Sequence, residues 1–124
     1  MSKKCCSDPT NRMVVACSGA SNLGQISNAT AVKIHQQGVG QMTCLAALGA
    51  NVDSYLKAAK ESDLVVLDGC PVSCAKTTVE QIGLSDFTYF EISGLLPHVV
   101  KSKEYDQVES ESQKLISLIL EQLA

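Results

Sequence analysis

Apolar and polar residues follow one another in blocks along the chain, and the blocks predict strands and helices in alternation. Four short apolar runs, at 13–16, 39–43, 64–67 and 87–92, have the length and composition of strands. The run at 64–67 is continuously apolar, which is typical of a strand buried on both faces of a parallel sheet. Segments with helical spacing separate these runs, and another one follows the last run.

Glycine and proline residues mark where the predicted helices begin and end. A first helix ends at about residue 37, before Gly38, and a second helix follows residue 45 and runs to residue 61. A third spans about 71–82, with Pro71 in its first turn and Gly83 just past its end. Strands that alternate with helices in this way predict an α/β fold: a three-layer, Rossmann-like domain with a mainly parallel four-stranded sheet flanked by helices.

Two of the predicted helices have a clear apolar face. The second helix presents Val52, Tyr55, Leu56 and Ala59 on one side. Asn51 is a plausible cap for the regular part of this helix. Asp106 and Glu109 are spaced as the start signal of a C-terminal amphipathic helix, with Asp in place of the usual Ser or Thr. The inward face of that helix is predicted to consist of Val108, Leu115, Ile116, Ile119, Leu120 and Leu123.

The polar residues at the N-terminus differ from the rest of the chain. Residues 1–11 include Pro9 and show no periodicity, which predicts a mobile head that carries Cys5 and Cys6. Residues 12–124 then form a single domain, which is long enough to bury roughly two thirds of its unfolded surface and to fold without disulfides. Metal delivery and sulfur relay remain open for the two head cysteines, but we favour an incidental role.

Charge and hydropathy exclude several classes of partner. The net charge of −3 comes without a basic block, so nucleic acid is not an expected partner. No apolar segment approaches the roughly 20 residues that cross a bilayer. No apolar signal segment follows Met1, so we expect a cytosolic protein with reduced thiols, in which a cysteine cluster more often serves metal binding or redox chemistry than disulfides.

Four cysteines each fall just beyond a predicted strand. They are Cys17, Cys44, Cys70 and Cys74. Successive members are separated by about one strand, one helix and two short loops, so a parallel sheet delivers them all to the edge at the carboxyl ends of its strands. Open α/β sheets bind their ligands at that edge. The spacing therefore predicts that the four thiols converge.

Four converging thiols match the requirements of a closed zinc site. Zn²⁺ takes four ligands in a tetrahedron, with Zn–S distances of about 2.3 Å. If Cys70 lies in the first turn of the third helix, Cys74 lies on the same face. The free N–H groups and the dipole of that helix start would favour the thiolate form. We therefore predict that Cys17, Cys44, Cys70 and Cys74 bind zinc, without a nucleic-acid or membrane partner.

Other functions remain open at this stage. Cys17 and Cys44 could be ordinary buried residues, because free cysteine is among the most buried residue types. A thiol redox or sulfur-transfer enzyme could use Cys70 as its nucleophile and Cys74 or Cys17 as the resolving thiol. Four cysteines also suit an iron–sulfur cluster.

Polar residues near the cysteines suggest supporting roles. The small residues at 18–22 could offer backbone N–H groups to an anion or to thiolates, or Ser21 or Asn22 could simply cap a helix. Asp68 is a candidate to orient a ligand, to act as a base or to satisfy the backbone of a turn. His35 and His98 follow no predicted strand end, so we leave both out of the site.

A cysteine followed by a small-residue loop also resembles the low-molecular-weight tyrosine phosphatases and related arsenate reductases. Those enzymes need an arginine at the sixth position after the cysteine to hold the oxyanion. In this chain that position is Leu23. Phosphate chemistry at this loop is therefore not expected.

Three separated motifs resemble another family, the DGC-domain proteins. They are Cys17-Ser-Gly-Ala-Ser-Asn22, Gly40-Gln-Met-Thr-Cys-Leu-Ala46, and Leu67-Asp-Gly-Cys-Pro71 with Cys74-Ala-Lys76. The tripeptide at 68–70 gives the family its name, and the resemblance extends over about residues 14–92. It implies a DGC-type domain over 12–124 and a zinc-binding protein with four chelating cysteines, which map to the four named above. The biological role of the family is not established.

Overall fold

The sheet has four strands, and all of them are parallel. The computed structural model describes residues 11–123. Its strands are β1 (Arg12–Ala16), β2 (Gln41–Met42), β3 (Asp63–Asp68) and β4 (Phe87–Glu91), in the spatial order β2-β1-β3-β4. The predicted fold class is confirmed. The second strand is shorter than predicted, because only two of the residues at 39–43 pair with β1.

Six helices connect and cover the strands in the described part of the chain. They are α1 (Asn22–Gln36), α2 (Leu45–Gly49), α3 (Asp53–Glu61), α4 (Cys74–Gln81), α5 (Ile92–Leu95) and α6 (Val108–Leu123). The short α5 helix was not expected from the sequence. None of the helices in residues 11–123 is long and apolar enough to cross a membrane.

Apolar side chains fill both faces of the sheet and so create three layers. Alternate residues of a strand point to opposite faces. Val14 and Ala16 of β1 pack with residues of α1, α5 and α6, whereas Val15 packs with residues of α2, α3 and α4. All residues of β3 except Asp63 are buried, as its continuous apolar run predicts. The inward face predicted for α6 is confirmed, since its apolar residues are buried or pack against the first cluster.

The segment between β2 and β3 differs from the prediction. It forms two helices, because Asn51 adopts a left-handed conformation with φ of 65° and interrupts the helical path. Asn51 therefore does not cap α3, whose N-terminal flanking residue is Val52. Val52 and Tyr55 are exposed, so the predicted apolar face is reduced to Leu56 and Ala59.

The start and stop signals predicted for α1, α4 and α6 are only partly used in the structure. Gly38 and Gly83 follow α1 and α4 with positive φ, as expected. The last helix begins at Val108, two residues after Asp106, and Glu109 pairs with Lys33 of α1 instead of forming a capping box. The predicted head at 1–11 lies outside the described residues except for Asn11, so the division into head and domain stays a prediction.

Candidate functional site

The strand order creates a crevice between β1 and β3. After β1 the chain crosses to β2 on one side, and after β3 it crosses to β4 on the other side, so the two connections diverge at the carboxyl ends of neighbouring strands. Such a switch point is where open parallel sheets bind ligands. A cavity of about 430 Å³ lies here, and Cys17, Cys70 and Cys74 are part of its lining. Three of the four predicted thiols therefore share one cavity.

Cys17 is the first residue after β1 and is half-buried. Its backbone N–H donates to the carbonyl oxygen of Leu67 at 3.0 Å, which extends the pairing of β1 with β3. Its Sγ accepts a hydrogen bond from the backbone N–H of Gly69 at 3.1 Å. Burial raises the pKa of the Cys17 thiol, and the bond from Gly69 opposes this effect in part.

Asp68 ends β3 and anchors the start of α4. Its buried carboxylate accepts hydrogen bonds from the backbone N–H of Ala75 at 2.8 Å and of Lys76 at 2.9 Å, and from the Tyr89 hydroxyl at 2.9 Å. The first-turn N–H groups of a helix have no partner inside the helix, and a carboxylate satisfies them well. Two of the donors expected to favour a thiolate therefore serve Asp68.

Gly69 allows the end of β3 to approach the start of α1. A Cβ at this position would lie 2.6 Å from both the carbonyl carbon and the oxygen of Leu23, and 2.7 Å from the nitrogen of Gly24. Only glycine avoids contact with a backbone at such distances. The Asp-Gly-Cys tripeptide thus has three structural tasks: it caps α4, packs against α1, and places a thiol at the cavity.

The sequence predicts that Cys70 and Cys74 lie on one helical face, but the structure does not place them so. The fourth helix begins at Cys74, because Ser73 adopts a left-handed conformation with φ of 62° and turns the chain before the helix. Pro71, which the sequence predicts in the first helical turn, accordingly lies in the loop that precedes α4. Cys70 is half-buried, whereas Cys74 is exposed. Both still line the cavity, one from the loop and one from the helix start.

Cys44 lies at the same edge of the sheet but lines a different cavity. It is exposed and directly precedes α2, beside a second cavity of about 940 Å³. Ser18 and Leu45 line both cavities, so the two cavities are neighbours. Within residues 11–123, no group of three or more His, Cys, Asp or Glu side chains lies close enough together to hold a metal ion.

The small-residue loop after Cys17 ends in a helix cap. Ser21 precedes α1, and its Oγ accepts from the backbone N–H of Gly24 at 3.1 Å. Gln25 donates from its side chain to the carbonyl oxygen of Gly19 at 2.7 Å and so closes the loop. Of the two capping candidates, Ser21 is therefore the cap, and this leaves Asn22 for another role.

Asn22 holds a distant segment over the cavity. We call residues 100–105 the strap. The side-chain amide of Asn22 donates to the carbonyl oxygen of Val100 at 3.0 Å, and its Oδ1 accepts from the N–H of Ser102 at 2.8 Å. The Tyr105 hydroxyl fixes the far end of the strap by donating to the carbonyl oxygen of Ala20.

The strap brings two cations to the cavity that the sequence did not indicate. Lys101 and Lys103 line the cavity, and the Nζ of Lys101 donates to the Sγ of Cys70 at 3.6 Å. The contact cannot be recognised in the sequence, because the lysines are far from the cysteines along the chain. The only sign of this in the local sequence is the alternate spacing of the two lysines, which would place both side chains on one side if the segment were extended.

Comparison with known proteins agrees with the motifs. The curated relatives include the anaerobic and virulence modulator AnvM of Pseudomonas aeruginosa, which is 27% identical over 112 residues, or 90% of this chain and 83% of AnvM. No solved structure matches the chain. The DGC domain matches residues 13–119, which include all of β1 except Arg12, the other three strands and the three cysteine motifs. The chain therefore belongs to the DGC domain family.

Proposed function

We propose that the protein binds a thiophilic metal ion, with Zn²⁺ as the candidate, through Cys17, Cys70 and Cys74 and with Cys44 as the fourth ligand. The observation that carries the proposal is the shared cavity, since three thiols from two loops and a helix start line one space at the switch point. Thiolate sulfur is a preferred zinc ligand. Because the reduced thiols must persist, we also propose a cytosolic location.

The surroundings of the cavity fit a thiolate site in their chemistry. Metal-bound thiolates are stabilised by backbone N–H donors, and Gly69 already donates to Cys17. Lys101 and Lys103 supply positive charge that offsets thiolate charge. The side chains as placed do not meet at one point, so binding requires the thiols to turn toward each other. A bound Zn²⁺ would link the loops after β1 and β3 to α4.

Metal content of protein purified without oxygen or added metal tests this proposal. We expect one zinc per chain, with the ligand thiols protected from alkylation until the protein is denatured. Cys70→Ser should reduce the zinc content to near zero, whereas Cys44→Ser should weaken binding without abolishing it. A Cys5→Ser, Cys6→Ser double variant is the matched control and should keep its zinc. An unchanged zinc content in Cys70→Ser would refute the proposal.

The contact between Lys101 and Cys70 supports a second candidate function, thiol–disulfide exchange. A cation beside a sulfur interacts more favourably with the thiolate, which is the nucleophile in this chemistry. The Cys70 thiolate would attack a small disulfide, form a mixed disulfide and release one thiol. Cys74 or Cys17 would then displace the second thiol, so that the substrate is reduced by two electrons and the protein gains an internal disulfide.

Trapping the mixed disulfide distinguishes the two functions. If Cys74 or Cys17 attacks the mixed disulfide on Cys70, hydroxyethyl disulfide should oxidise the wild-type protein to an internal disulfide without a lasting adduct. A Cys17→Ser, Cys74→Ser double variant should instead keep one mercaptoethanol adduct on Cys70, which peptide mass analysis detects. No adduct on Cys70 in this variant would exclude the exchange chemistry and leave metal binding.

A further inference from the structure

We propose that the cavity lined by Cys17, Cys70 and Cys74 binds a small anionic molecule, whose carboxylate or phosphate group lies at Lys101 and Lys103. This inference deepens the proposed function, since it names the class of ligand that the thiol cavity accepts. It rests on that function only in placing the ligand in the cavity whose thiols the proposed function uses.

The charges around the cavity carry the proposal. The lining contains two lysines and three thiols, and no aspartate or glutamate belongs to it. No ion pair connects Lys101 or Lys103 with a carboxylate in the described part of the chain. The buried carboxylate of Asp68, next to Gly69 of the lining, is engaged by the N–H groups of α4 and by Tyr89. Neither ammonium group is therefore paired with a carboxylate of residues 11–123, and that of Lys101 lies in the cavity, 3.6 Å from the sulfur of Cys70.

The strap is positioned rather than free to move away. Asn22 is buried, and its side chain bonds the backbone on both sides of Lys101, at Val100 and Ser102. Its backbone N–H also donates to the carbonyl oxygen of Ser102 at 2.8 Å. A buried amide with satisfied partners holds a segment in one place. Lys101 and Lys103 are consequently presented to the cavity by structure and not by chance contact.

The start of α1 is not available to the anion, although it lies beside the cavity. The N–H of Asn22 donates to Ser102, that of Leu23 to the Asn22 side chain, and that of Gly24 to Ser21. The lysines are therefore the charged groups of the lining that can recognise an anion. The volume of about 430 Å³ is within the range of pockets that bind small molecules, which favours a metabolite over a macromolecular segment.

Paired alkylating reagents of the same size and different charge test the proposal. Iodoacetate carries a carboxylate and iodoacetamide does not. The rate at which iodoacetate alkylates Cys70 is divided by the rate for iodoacetamide, and this ratio is divided by the same ratio in the denatured chain. The normalised ratio reports the attraction of an anion to the cavity. Protein stripped of metal with a chelator is used, and the modified residue is identified by peptide mass analysis. We expect a normalised ratio of about tenfold or more at low salt, falling as salt is added.

Lysine variants assign the effect to the strap. The Lys101→Met, Lys103→Met double variant should lose the preference for iodoacetate, and the Lys101→Arg, Lys103→Arg variant should keep it. Lys57→Met with Lys60→Met is the matched control, because it removes the same charge from the exposed side of α3. Protection of Cys70 from iodoacetamide by inorganic phosphate or by succinate then distinguishes a phosphate ligand from a carboxylate ligand.

A normalised ratio near one, or a preference that survives in the Met variant, would overturn the proposal. So would folded, metal-free protein in which Cys70 reacts with neither reagent, because its cavity would be closed to small anions. The zinc measurement is independent of these rates. Loss of zinc in Cys70→Ser without an iodoacetate preference in the wild type would refute the anion site alone, and the reverse result would refute the metal site alone.

Discussion

Ser102 is bonded to Asn22 through both of its backbone polar groups, although 80 positions separate the two residues along the chain. Its N–H donates to Oδ1 of Asn22, and its carbonyl oxygen accepts from the backbone N–H of Asn22, each at 2.8 Å. The start of α1 is thereby tied to the strap that lines the thiol cavity. This tie connects the stability of the fold to the geometry of the site.

We expect Asn22→Ala to lower the free energy of unfolding by about 1 to 3 kcal/mol, because it leaves the N–H of Ser102 and the carbonyl of Val100 without their partner. Urea unfolding measures this loss. Hydrogen exchange at Ser102 should accelerate as well. Asn28→Ala, a change on the same helix, should stay within about 0.5 kcal/mol of the wild type. Equal stability of the two variants would show that the strap is held by other contacts.

Gly69→Ala should be strongly destabilising, although it adds only one methyl group. The new Cβ would lie 2.6 Å from the backbone of Leu23, so β3 and α1 must move apart, at a cost of about 3 kcal/mol. The midpoint of urea unfolding measures the effect. Gly94→Ala is the matched control, because nothing lies within 4 Å of its Cβ. A Gly69→Ala protein as stable as this control would contradict the packing argument.

The sequence predicts the sheet well, and it predicts that the thiols lie near the carboxyl ends of the strands, because both depend on local patterns. Short apolar runs specify the strands, and Cys17, Cys44 and Cys70 follow β1, β2 and β3 within two residues. Cys74 instead begins α4, and Cys44 lines a different cavity from the other three. The start of α4 was predicted wrongly, since it depends on the left-handed Ser73 and on a carboxylate seven positions before Ala75. The lysines at the cavity could not be predicted, because tertiary contacts with Asn22 and Ala20 bring the strap there.

Asp68→Asn should destabilise the protein by about 2 kcal/mol. The carboxylate accepts hydrogen bonds from two consecutive backbone N–H groups. The side-chain amide of asparagine has one acceptor oxygen, so one backbone N–H would face the NH₂ group, which is also a donor. Denaturant unfolding measures the loss, and the alkylation rate of Cys74 should change with the frayed helix start. Asp86→Asn, at an exposed position before β4, should be neutral. A neutral Asp68→Asn would argue that α4 does not need this cap.

Tyr89 makes stability depend on pH in the alkaline range. Burial, followed by the contact with Asp68, raises the pKa of Tyr89 from 10.0 to about 12, although the bond with Ser73 acts in the opposite direction. The folded state thus favours the protonated hydroxyl, which donates to Asp68. This contribution to stability is fully present below pH 10 and is lost as the pH rises toward 12.

Replacing Tyr89 by phenylalanine should therefore remove one component of the alkaline loss of stability. The difference in the free energy of unfolding between wild type and Tyr89→Phe should be constant below pH 10 and should shrink between pH 10 and 12. Ultraviolet absorbance of tyrosinate should show the titration near pH 12 in the wild type and in Tyr55→Phe, but not in Tyr89→Phe. If the step near pH 12 persists in Tyr89→Phe, the hydroxyl that titrates there is not the one bonded to Asp68, and the link between the cap of α4 and pH is refuted.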